Sequence, residues 1–239
     1  MKGGSSVEFK TSQSVRFFAA AGHMGTGVIL MLETPEEVLS VQKVTKYFGD
    51  FRALNAVSLR VCAGRICGIV GRNGSGKTVL FKCICGLYGV DDGTIVNRSK
   101  RIGAIIEEPG FLTQYSGRKN LQYLAAISGV NHIDFDALLK TVGLEQAGNK
   151  HVGKYSMGMR QRLGIAQAIM EKPDLLVLDE PMNGLDNQGV QEMRELFMKL
   201  RNEGTAILLA SHNRDDVEQL CDKIYNMDHG VLTLRMENE

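Results

Sequence analysis

The chain has 239 residues, 44% of them hydrophobic, which is enough to bury the core of one large α/β domain or of two small ones. Lys and Arg number 28 and Asp and Glu 27, so no global field steers the protein towards nucleic acid or an anionic membrane. The five cysteines form no C-x-x-C pair, and we interpret them as small core residues in a reducing compartment.

Residues 1–37 differ in composition from the rest of the chain. A polar, Gly- and Ser-rich start is followed by a mostly apolar stretch, 15–32, that an arginine, a histidine and glycines interrupt. A secretory signal would need a cleaner apolar run and a small-residue cleavage site. We therefore predict a poorly ordered extension, with Met24 and Met31 as alternative first residues.

From residue 38 the hydrophobic pattern becomes regular. Residues 38–44 and 57–61 alternate apolar and polar side chains, which predicts two half-buried strands in an antiparallel sheet. Between them Tyr47 lies in a predicted loop, where its ring can stack on a base. An ordinary strand-end aromatic fits this pattern equally well.

A phosphate-binding pattern, G-x-x-x-x-G-K-[ST], comes next. It consists of Gly71, Arg72, Asn73, Gly74, Ser75, Gly76, Lys77 and Thr78. Residues 66–70 before it predict a strand, and residues 80–87 after it carry apolar side chains at helical spacing. This context favours a phosphate site over a glycine-rich turn that binds nothing. Lys77 is expected to reach the β- and γ-phosphates of a nucleotide, and Thr78 to bind Mg²⁺.

A helical region follows the strand predicted at residues 102–106, which ends at Glu107. Apolar side chains in 121–125 and in 135–142 recur at helical spacing, so we expect a helical insertion between two strand-bearing regions. At its end Ser156 is the predicted N-cap of a further helix, with Gly158 in the first turn. A serine and a glycine at a helix N-terminus also suit a phosphate, although most such serines only cap the helix.

Two further buried strands end in polar residues. The apolar run 175–178 has the form of a parallel strand buried on both faces, and Asp179 and Glu180 follow it. The run 206–210 is similar and leads to His212. Ligands bind at the carboxyl edge of parallel strands, so we expect the two acids to face the phosphate loop across one Mg²⁺-nucleotide. A solvated surface pair of acids is the alternative.

These features together resemble the ATP-binding subunit of an ABC transporter, over residues 39–232. The resemblance implies an α/β fold with a P-loop NTPase (RecA-like) core and a mainly parallel sheet. It adds an N-terminal antiparallel β subdomain and an inserted α-helical subdomain. The expected single domain spans 38–239, with 38–106 and 167–239 in the core and 107–166 in the helical subdomain.

The resemblance also implies roles for individual residues in ATP hydrolysis. Residues 71–78 look like the Walker A loop, in which Lys77 stabilises charge. Glu180 looks like the Walker B base that activates water, with Asp179 and Thr78 as Mg²⁺ ligands. Glu107 occupies the Q-loop position and is a third expected Mg²⁺ ligand, with a solvated strand-end acid as the alternative.

Other residues resemble those that surround the nucleotide or form the dimer interface in this family. His212 looks like the switch histidine, Tyr47 like the aromatic that stacks on adenine, and Asp186 like part of the D-loop. Ser156 and Gly158 occupy the signature segment, which contacts the γ-phosphate of the other subunit's ATP.

Two departures from the family pattern narrow the resemblance. The signature segment has Met157 in place of a glycine and Met159 in place of glutamine, and Glu107 replaces the Q-loop glutamine. With these departures, residues 102–110 and 155–166 taken as wholes resemble the bacitracin and lantibiotic export or self-protection branch of the family.

The function implied is an ATPase with ATP and Mg²⁺ as cofactors, which powers a separate membrane permease and exports an antibiotic peptide or other small amphiphile. It is expected to act as a dimer of identical subunits on the cytoplasmic face of the cell membrane, without nucleic acid. One alternative is a soluble ATP-switched ABC protein of translation or DNA repair, which typically has two cassettes or a long coiled-coil insertion. Another is a P-loop kinase or GTPase, which would not require the signature segment or His212.

Overall fold

A computed structural model describes residues 36–237, so residues 1–35 of the predicted extension and its alternative first residues lie outside the described part. Glu37, which we placed in the extension, pairs with Cys62 and is the first residue of a strand, so the predicted end of the extension is wrong there. The strands are β1 (Glu37–Phe48), β2 (Phe51–Cys62), β3 (Ile66–Val70), β4 (Asp92–Asn97), β5 (Ile102–Ile105), β6 (Leu175–Asp179), β7 (Ala206–Ser211), β8 (Lys223–Asp228) and β9 (Val231–Glu237). The helices are α1 (Lys77–Ile84), α2 (Gly117–Ile127), α3 (Phe135–Thr141), α4 (Met157–Ile169), α5 (Asn187–Asn202) and α6 (Arg214–Leu220), with a 3₁₀ turn at Val152–Lys154.

The N-terminal strands form a three-stranded antiparallel sheet in the order β2-β1-β4. The pairing of β1 with β2 runs up to Phe48 and Phe51, so the connection is a tight turn at Gly49 and Asp50, where Gly49 has φ 59°. Tyr47 therefore lies in β1, opposite Arg52, and the prediction that it lies in a loop is wrong. The turn is shorter than the sequence pattern indicates, because strand pairing continues beyond the alternating residues.

The second sheet has six strands in the order β5-β6-β7-β3-β8-β9. All neighbouring strands are parallel except β8 and β9, which form an antiparallel hairpin. Strands β3, β6 and β7 are buried along their whole length. A mainly parallel sheet beside a separate antiparallel one confirms the expected α/β fold class.

The continuous apolar run of β6 is explained by burial on both faces of the sheet. Leu176 and Leu178 pack in a core with helices α2 to α6, whereas Leu175 and Val177 pack in a second core with β1, β2 and α1. Successive side chains of a strand point to opposite faces, so a strand covered on both sides needs apolar residues at every position.

The first helix is shorter than expected. Helix α1 ends at Ile84, and Gly86 follows with φ 72°, a left-handed conformation that favours glycine and stops the helix. Leu87 consequently lies outside α1 with 64% of its surface exposed, so its predicted place on the helix face is wrong.

Helix α4 runs without a break across residue 166, where we placed the end of the helical subdomain. Helix α4 packs closely on β5. The contact leaves no room for a side chain at Gly103, where a Cβ atom would lie 2.0 Å from the carbonyl oxygen of Ala168. The subdomain boundaries remain a prediction.

All five cysteines are free, with Cys67, Cys83 and Cys221 buried. Burial raises the pKa of the Cys67 thiol to about 12 and that of Cys85 to about 11, so these thiols stay protonated at neutral pH. Within residues 36–237, the helices are too short or too polar to cross a membrane.

Candidate functional site

The phosphate loop connects β3 to the N-terminus of α1. Gly74 and Gly76 have φ 80° and 112°, conformations that side-chain-bearing residues rarely adopt. Gly76 also has no room for a side chain, because a Cβ atom there would lie 2.8 Å from the carbonyl oxygen of Ala53. The loop therefore needs glycine at this position for both its backbone conformation and its close packing.

Lys77 and Ser75 line the phosphate loop with buried polar groups. Nζ of Lys77 donates to the carbonyl oxygens of Gly71 at 2.7 Å and Arg72 at 3.3 Å, which folds the ammonium group across the loop. Oγ of Ser75 is buried without a hydrogen-bond partner within the described protein. A cation and a free hydroxyl beside a helix N-terminus suit a polyanionic phosphate.

The hairpin formed by β8 and β9 packs against the phosphate loop. The N–H of Gly230, in the turn between β8 and β9, donates to the carbonyl oxygen of Ser75 at 2.9 Å. A Cβ atom at Gly71 would lie 2.4 Å from the carbonyl oxygen of Met227 in β8. The loop is thus fixed by contacts with the last strands of the sheet.

Thr78 and Asp179 meet at the carboxyl edge of the sheet. The Thr78 hydroxyl donates to Oδ2 of Asp179 at 2.5 Å, and the Asp179 residue is only 6% exposed. Burial raises the pKa of the Asp179 carboxyl, and the negative charge of Glu180 raises it further, while the Thr78 hydrogen bond lowers it in part. An anion disfavoured in this way is stabilised by a bound cation.

Glu180 directly follows β6 and has a left-handed backbone, with φ 50°. Its Oε2 lies 2.9 Å from Nδ1 of His212 and accepts from the His212 backbone N–H at 3.3 Å. Its Oε1 is buried without a hydrogen-bond partner and lies 3.8 Å from Nζ of Lys77, beyond hydrogen-bonding distance. A carboxylate with one anchored oxygen and one free oxygen can act as a general base.

The residues around Thr78 and Asp179 fit Mg²⁺ in part. Hydroxyl and carboxylate oxygens are the ligands that Mg²⁺ prefers, and the ion commonly uses only one or two protein ligands beside phosphate and water. Residues 36–237 contain no cluster of three or more His, Cys, Asp or Glu side chains placed to hold a metal ion by themselves.

Glu107 contacts Lys82 and not the other two expected metal ligands. Its Oε1 accepts from Nζ of Lys82 at 2.9 Å, and its backbone has φ 64°. This hydrogen bond raises the pKa of the Lys82 ammonium group. The Glu107 charge nevertheless contributes to the raised pKa of Asp179, so the carboxylate lies near the site. Its role as a metal ligand remains a prediction.

Tyr47 lies at the end of β1 with 44% of its surface exposed. Its backbone N–H donates to Oδ2 of Asp91 at 2.6 Å, a bond that lowers the pKa of the Asp91 carboxyl together with a hydrogen bond from Lys46. The exposed ring is available for stacking, and its assignment to adenine remains a prediction.

The start of α4, which carries Gly158, contacts the residues just before Asp186 within the chain. Ser156 caps α4, as predicted, by accepting from the N–H of Met159 at 3.2 Å. A Cβ atom at Gly158 would lie 2.7 Å from the carbonyl oxygen of Gly184. The Met157 side chain also packs on Gly184, because a Cβ atom at Gly184 would lie 2.7 Å from Cγ of Met157.

Asp186 has a structural contact in the described chain. Its Oδ1 accepts from the N–H of Gly189 at 2.8 Å, which caps α5. The contacts expected of Ser156, Gly158 and Asp186 with a second subunit remain predictions.

Sequence reasoning did not identify Gln161. Its Nε2 lies 3.4 Å from the carbonyl oxygen of Glu180, and the residue is 9% exposed on a helix in which residues 163–166 are all buried. An amide on the buried face of a helix is the signal that could have singled it out, because buried polar groups are normally hydrogen-bonded.

Comparison with known proteins gives matches over most of the chain. Residues 54–183 match the family model described as ABC transporter. The chain is 41% identical to the bacitracin transport ATP-binding protein BcrA of Enterococcus faecalis over 210 residues, covering 82% of this chain and 68% of BcrA. It is 35% identical to the lantibiotic transport ATP-binding protein SrtF of Streptococcus pyogenes, covering 84% of this chain and 91% of SrtF.

Solved structures with the same fold include an ATP-binding subunit of an ABC transporter, with a TM-score of 0.76 and 24% identity over 83% of this chain and 90% of that one. An ATP-binding cassette in its ADP conformation matches with a TM-score of 0.71 and 25% identity over 82% of this chain and 89% of that one.

Proposed function

Because the chain belongs to the ABC transporter family, as an ATP-hydrolysing domain that powers a transporter, we propose that it drives export of an antibiotic peptide or other small amphiphile. Support comes from relatives that are bacitracin and lantibiotic transport ATP-binding proteins. They also favour transport over the alternative of a soluble protein of translation or DNA repair.

The proposed chemistry is in-line attack of water on the γ-phosphate of ATP. The observation that carries it is the Glu180 carboxylate, whose free Oε1 lies 3.8 Å from Nζ of Lys77 at the phosphate loop. Glu180 removes a proton from the attacking water. His212 holds the other carboxylate oxygen and so fixes the direction of the base.

The charge of the reaction is balanced by groups already present at the loop. Lys77 exchanges its bonds to the Gly71 and Arg72 carbonyls for the β- and γ-phosphates. Thr78 and Asp179 would hold Mg²⁺, which would neutralise phosphate charge. Glu107 would join them only after leaving Lys82. Tyr47 stacks on the adenine.

The proposed assembly is a dimer of two ATP-binding subunits bound to an integral membrane permease at the cytoplasmic face. A dimeric cassette shares this fold, with a TM-score of 0.74 at 22% identity over 81% of this chain and 96% of that one. In the proposed dimer, Ser156 and Gly158 of one subunit contact the γ-phosphate bound by the other. Asp186 lies at the interface between the subunits.

The transport proposal is tested by co-expressing the full chain with the permease encoded beside its gene in a bacitracin- and lantibiotic-sensitive host. We expect the wild type to raise the inhibitory concentration of at least one peptide and Glu180→Gln to abolish this protection. ATPase activity in proteoliposomes should rise when the permease is present. Protection that is equal for both variants, or ATPase activity stimulated by ribosomes or DNA and not by the permease, would overturn the proposal.

A further inference from the structure

Gln161 is a buried amide that reaches the main chain of the proposed base. It lies in α4, the helix that begins immediately after Ser156, and its Nε2 donates to the carbonyl oxygen of Glu180 at 3.4 Å. Leu163 and Ile165, further along the helix, are fully buried. Burying an amide beside apolar residues costs free energy unless the amide is hydrogen-bonded, so this contact explains a glutamine at the position.

The backbone of Glu180 needs support because its φ of 50° is unfavourable for a residue with a side chain. Its N–H donates to the carbonyl oxygen of Ala210 in β7 at 2.9 Å. Its carbonyl oxygen accepts from the N–H of Asn183 at 3.2 Å as well as from Gln161. The two peptide groups that flank the Glu180 Cα are thus both hydrogen-bonded, which restricts the direction in which its side chain leaves the main chain.

We propose that Gln161 is a positioning residue for ATP hydrolysis. Its side-chain amide holds the Glu180 carbonyl, keeps Glu180 in the left-handed conformation and thereby directs Oε1 towards the phosphate loop. The inference rests on the proposed role of Glu180 as base. Gln161 acts through Glu180 and makes no contact with the phosphate-loop residues in the described hydrogen bonds.

The position of Gln161 also links the base to the N-terminus of α4. The adjacent Arg162 donates to the carbonyl oxygen of Val142 at 2.9 Å and pairs with Glu192 of α5 at 2.8 Å. Helix α4 is therefore held at neighbouring residues to the helical region and to α5. A movement of α4 caused by ATP at Ser156 would move Gln161 with it and change the support of Glu180 in the same subunit.

The first test is Gln161→Leu in the full chain, which keeps a similar volume and removes the donor. We expect kcat for ATP hydrolysis to fall about tenfold, with KM for ATP and the melting temperature close to the wild-type values. Gln161→Glu, which keeps the shape and lacks the donor, should lose as much. Gln161→His, whose ring nitrogen can donate, should recover part of the rate. Gln167→Leu on the same helix is the matched control and should be unaffected.

The second test combines these changes with Glu180→Gln, using single-turnover rates. If Gln161 acts through Glu180, Gln161→Leu should not slow the residual rate of Glu180→Gln any further. Wild-type kcat in both Gln161→Leu and Gln161→Glu would overturn the inference. A tenfold loss that persists in the Glu180→Gln background would overturn it too, because the effect would not pass through the base. Wild-type turnover by Glu180→Gln alone would instead overturn the proposed base.

Discussion

Nδ1 of His212 lies 2.9 Å from Oε2 of Glu180, and the His212 backbone N–H contacts the same oxygen at 3.3 Å. These contacts occupy one side of the carboxylate and leave Oε1 without a hydrogen bond. A histidine at the end of β7 thereby orients an acid at the end of the neighbouring strand β6. The pair is placed by the parallel register of the two strands, in which Asp179 lies opposite Ala210.

Glu180→Gln should separate nucleotide binding from hydrolysis. The amide keeps the shape of the side chain but cannot accept a proton at neutral pH, so we expect hydrolysis to slow by about 10²-fold or more. ATP binding should be retained. Phosphate release and fluorescent-nucleotide binding measure the two steps, with Glu195→Gln on the exposed face of α5 as control. Turnover within a few-fold of wild type would identify another group as the base.

Asp179→Asn should stabilise the nucleotide-free protein at neutral pH. Burial and the Glu180 charge raise the pKa of Asp179 in the folded state, so the folded protein binds this proton more tightly than the unfolded chain does. Stability therefore falls as pH rises from the ordinary aspartate pKa through the raised one. Removing the charge should contribute on the order of 1 kcal/mol above this range, or about 2–4 °C in melting temperature.

The pH dependence distinguishes this electrostatic effect from a packing effect. Thermal unfolding curves of the wild type and of Asp179→Asn should converge below about pH 4, where Asp179 is protonated in both the folded and the unfolded state. A melting temperature of Asp179→Asn below that of wild type at neutral pH would contradict the prediction. If Asp179→Asn raised the melting temperature by the same amount at every pH, the gain would not come from removal of the charge.

Lys82 and Glu107 should affect Mg²⁺ affinity in opposite directions. Lys82 holds the Glu107 carboxylate at 2.9 Å and competes with a metal ion for it. Glu107→Gln should lower the apparent Mg²⁺ affinity and leave hydrolysis largely intact at saturating metal. Lys82→Met should raise the affinity up to about fivefold, since an ion pair that is open to solvent is weak.

Titration of Mg²⁺ against ATPase rate measures this effect, with Lys199→Met as a control because Lys199 lies on α5 with an exposed ion pair of its own. Calorimetric titration of Mg²⁺ into the ATP-bound Glu180→Gln protein gives the same comparison without turnover. Superimposable curves for wild type, Glu107→Gln and Lys82→Met would remove Glu107 from the metal site.

Met157→Gly should strengthen the proposed dimer. Met157 covers Gly184 and occupies the position of a signature glycine, so its removal frees the main chain at the start of α4 for the other subunit's γ-phosphate. One added hydrogen bond to a charged group corresponds to about tenfold tighter ATP-dependent association. Sedimentation in the Glu180→Gln background measures it. Unchanged or weaker association would show that Met157 itself contributes to the interface.

The elements predicted best from the sequence are those whose own residues determine them. The runs at 66–70 and 175–178 give β3 and β6 to within a residue, because a strand buried on both faces must be apolar throughout. The N-cap at Ser156 depends on its own hydroxyl and a backbone N–H three residues on. The phosphate loop depends on glycines whose conformation no other residue adopts readily.

Other features depend on contacts between distant parts of the chain. The partners of Glu107 and Gln161, which are Lys82 and the Glu180 carbonyl, are set by how α1 and α4 pack on the sheet. The hairpin of β8 and β9 has no strong hydrophobic pattern, because β9 is mostly exposed and is held in the sheet by its pairing with β8. The hydrophobic periodicity of a segment does not predict which distant segment it pairs with.

The strand order also sets when the nucleotide site can form during protein synthesis. β1, β2 and β4 are close in sequence and can pair as soon as they leave the ribosome. β3, which carries the phosphate loop, has β7 and β8 as its neighbours, and these begin at Ala206 and Lys223. The nascent chain must therefore hold an unpaired apolar strand until β7 and β8 have left the ribosome. ATP cannot assist its folding earlier, and a chaperone is the protection available to it in that interval.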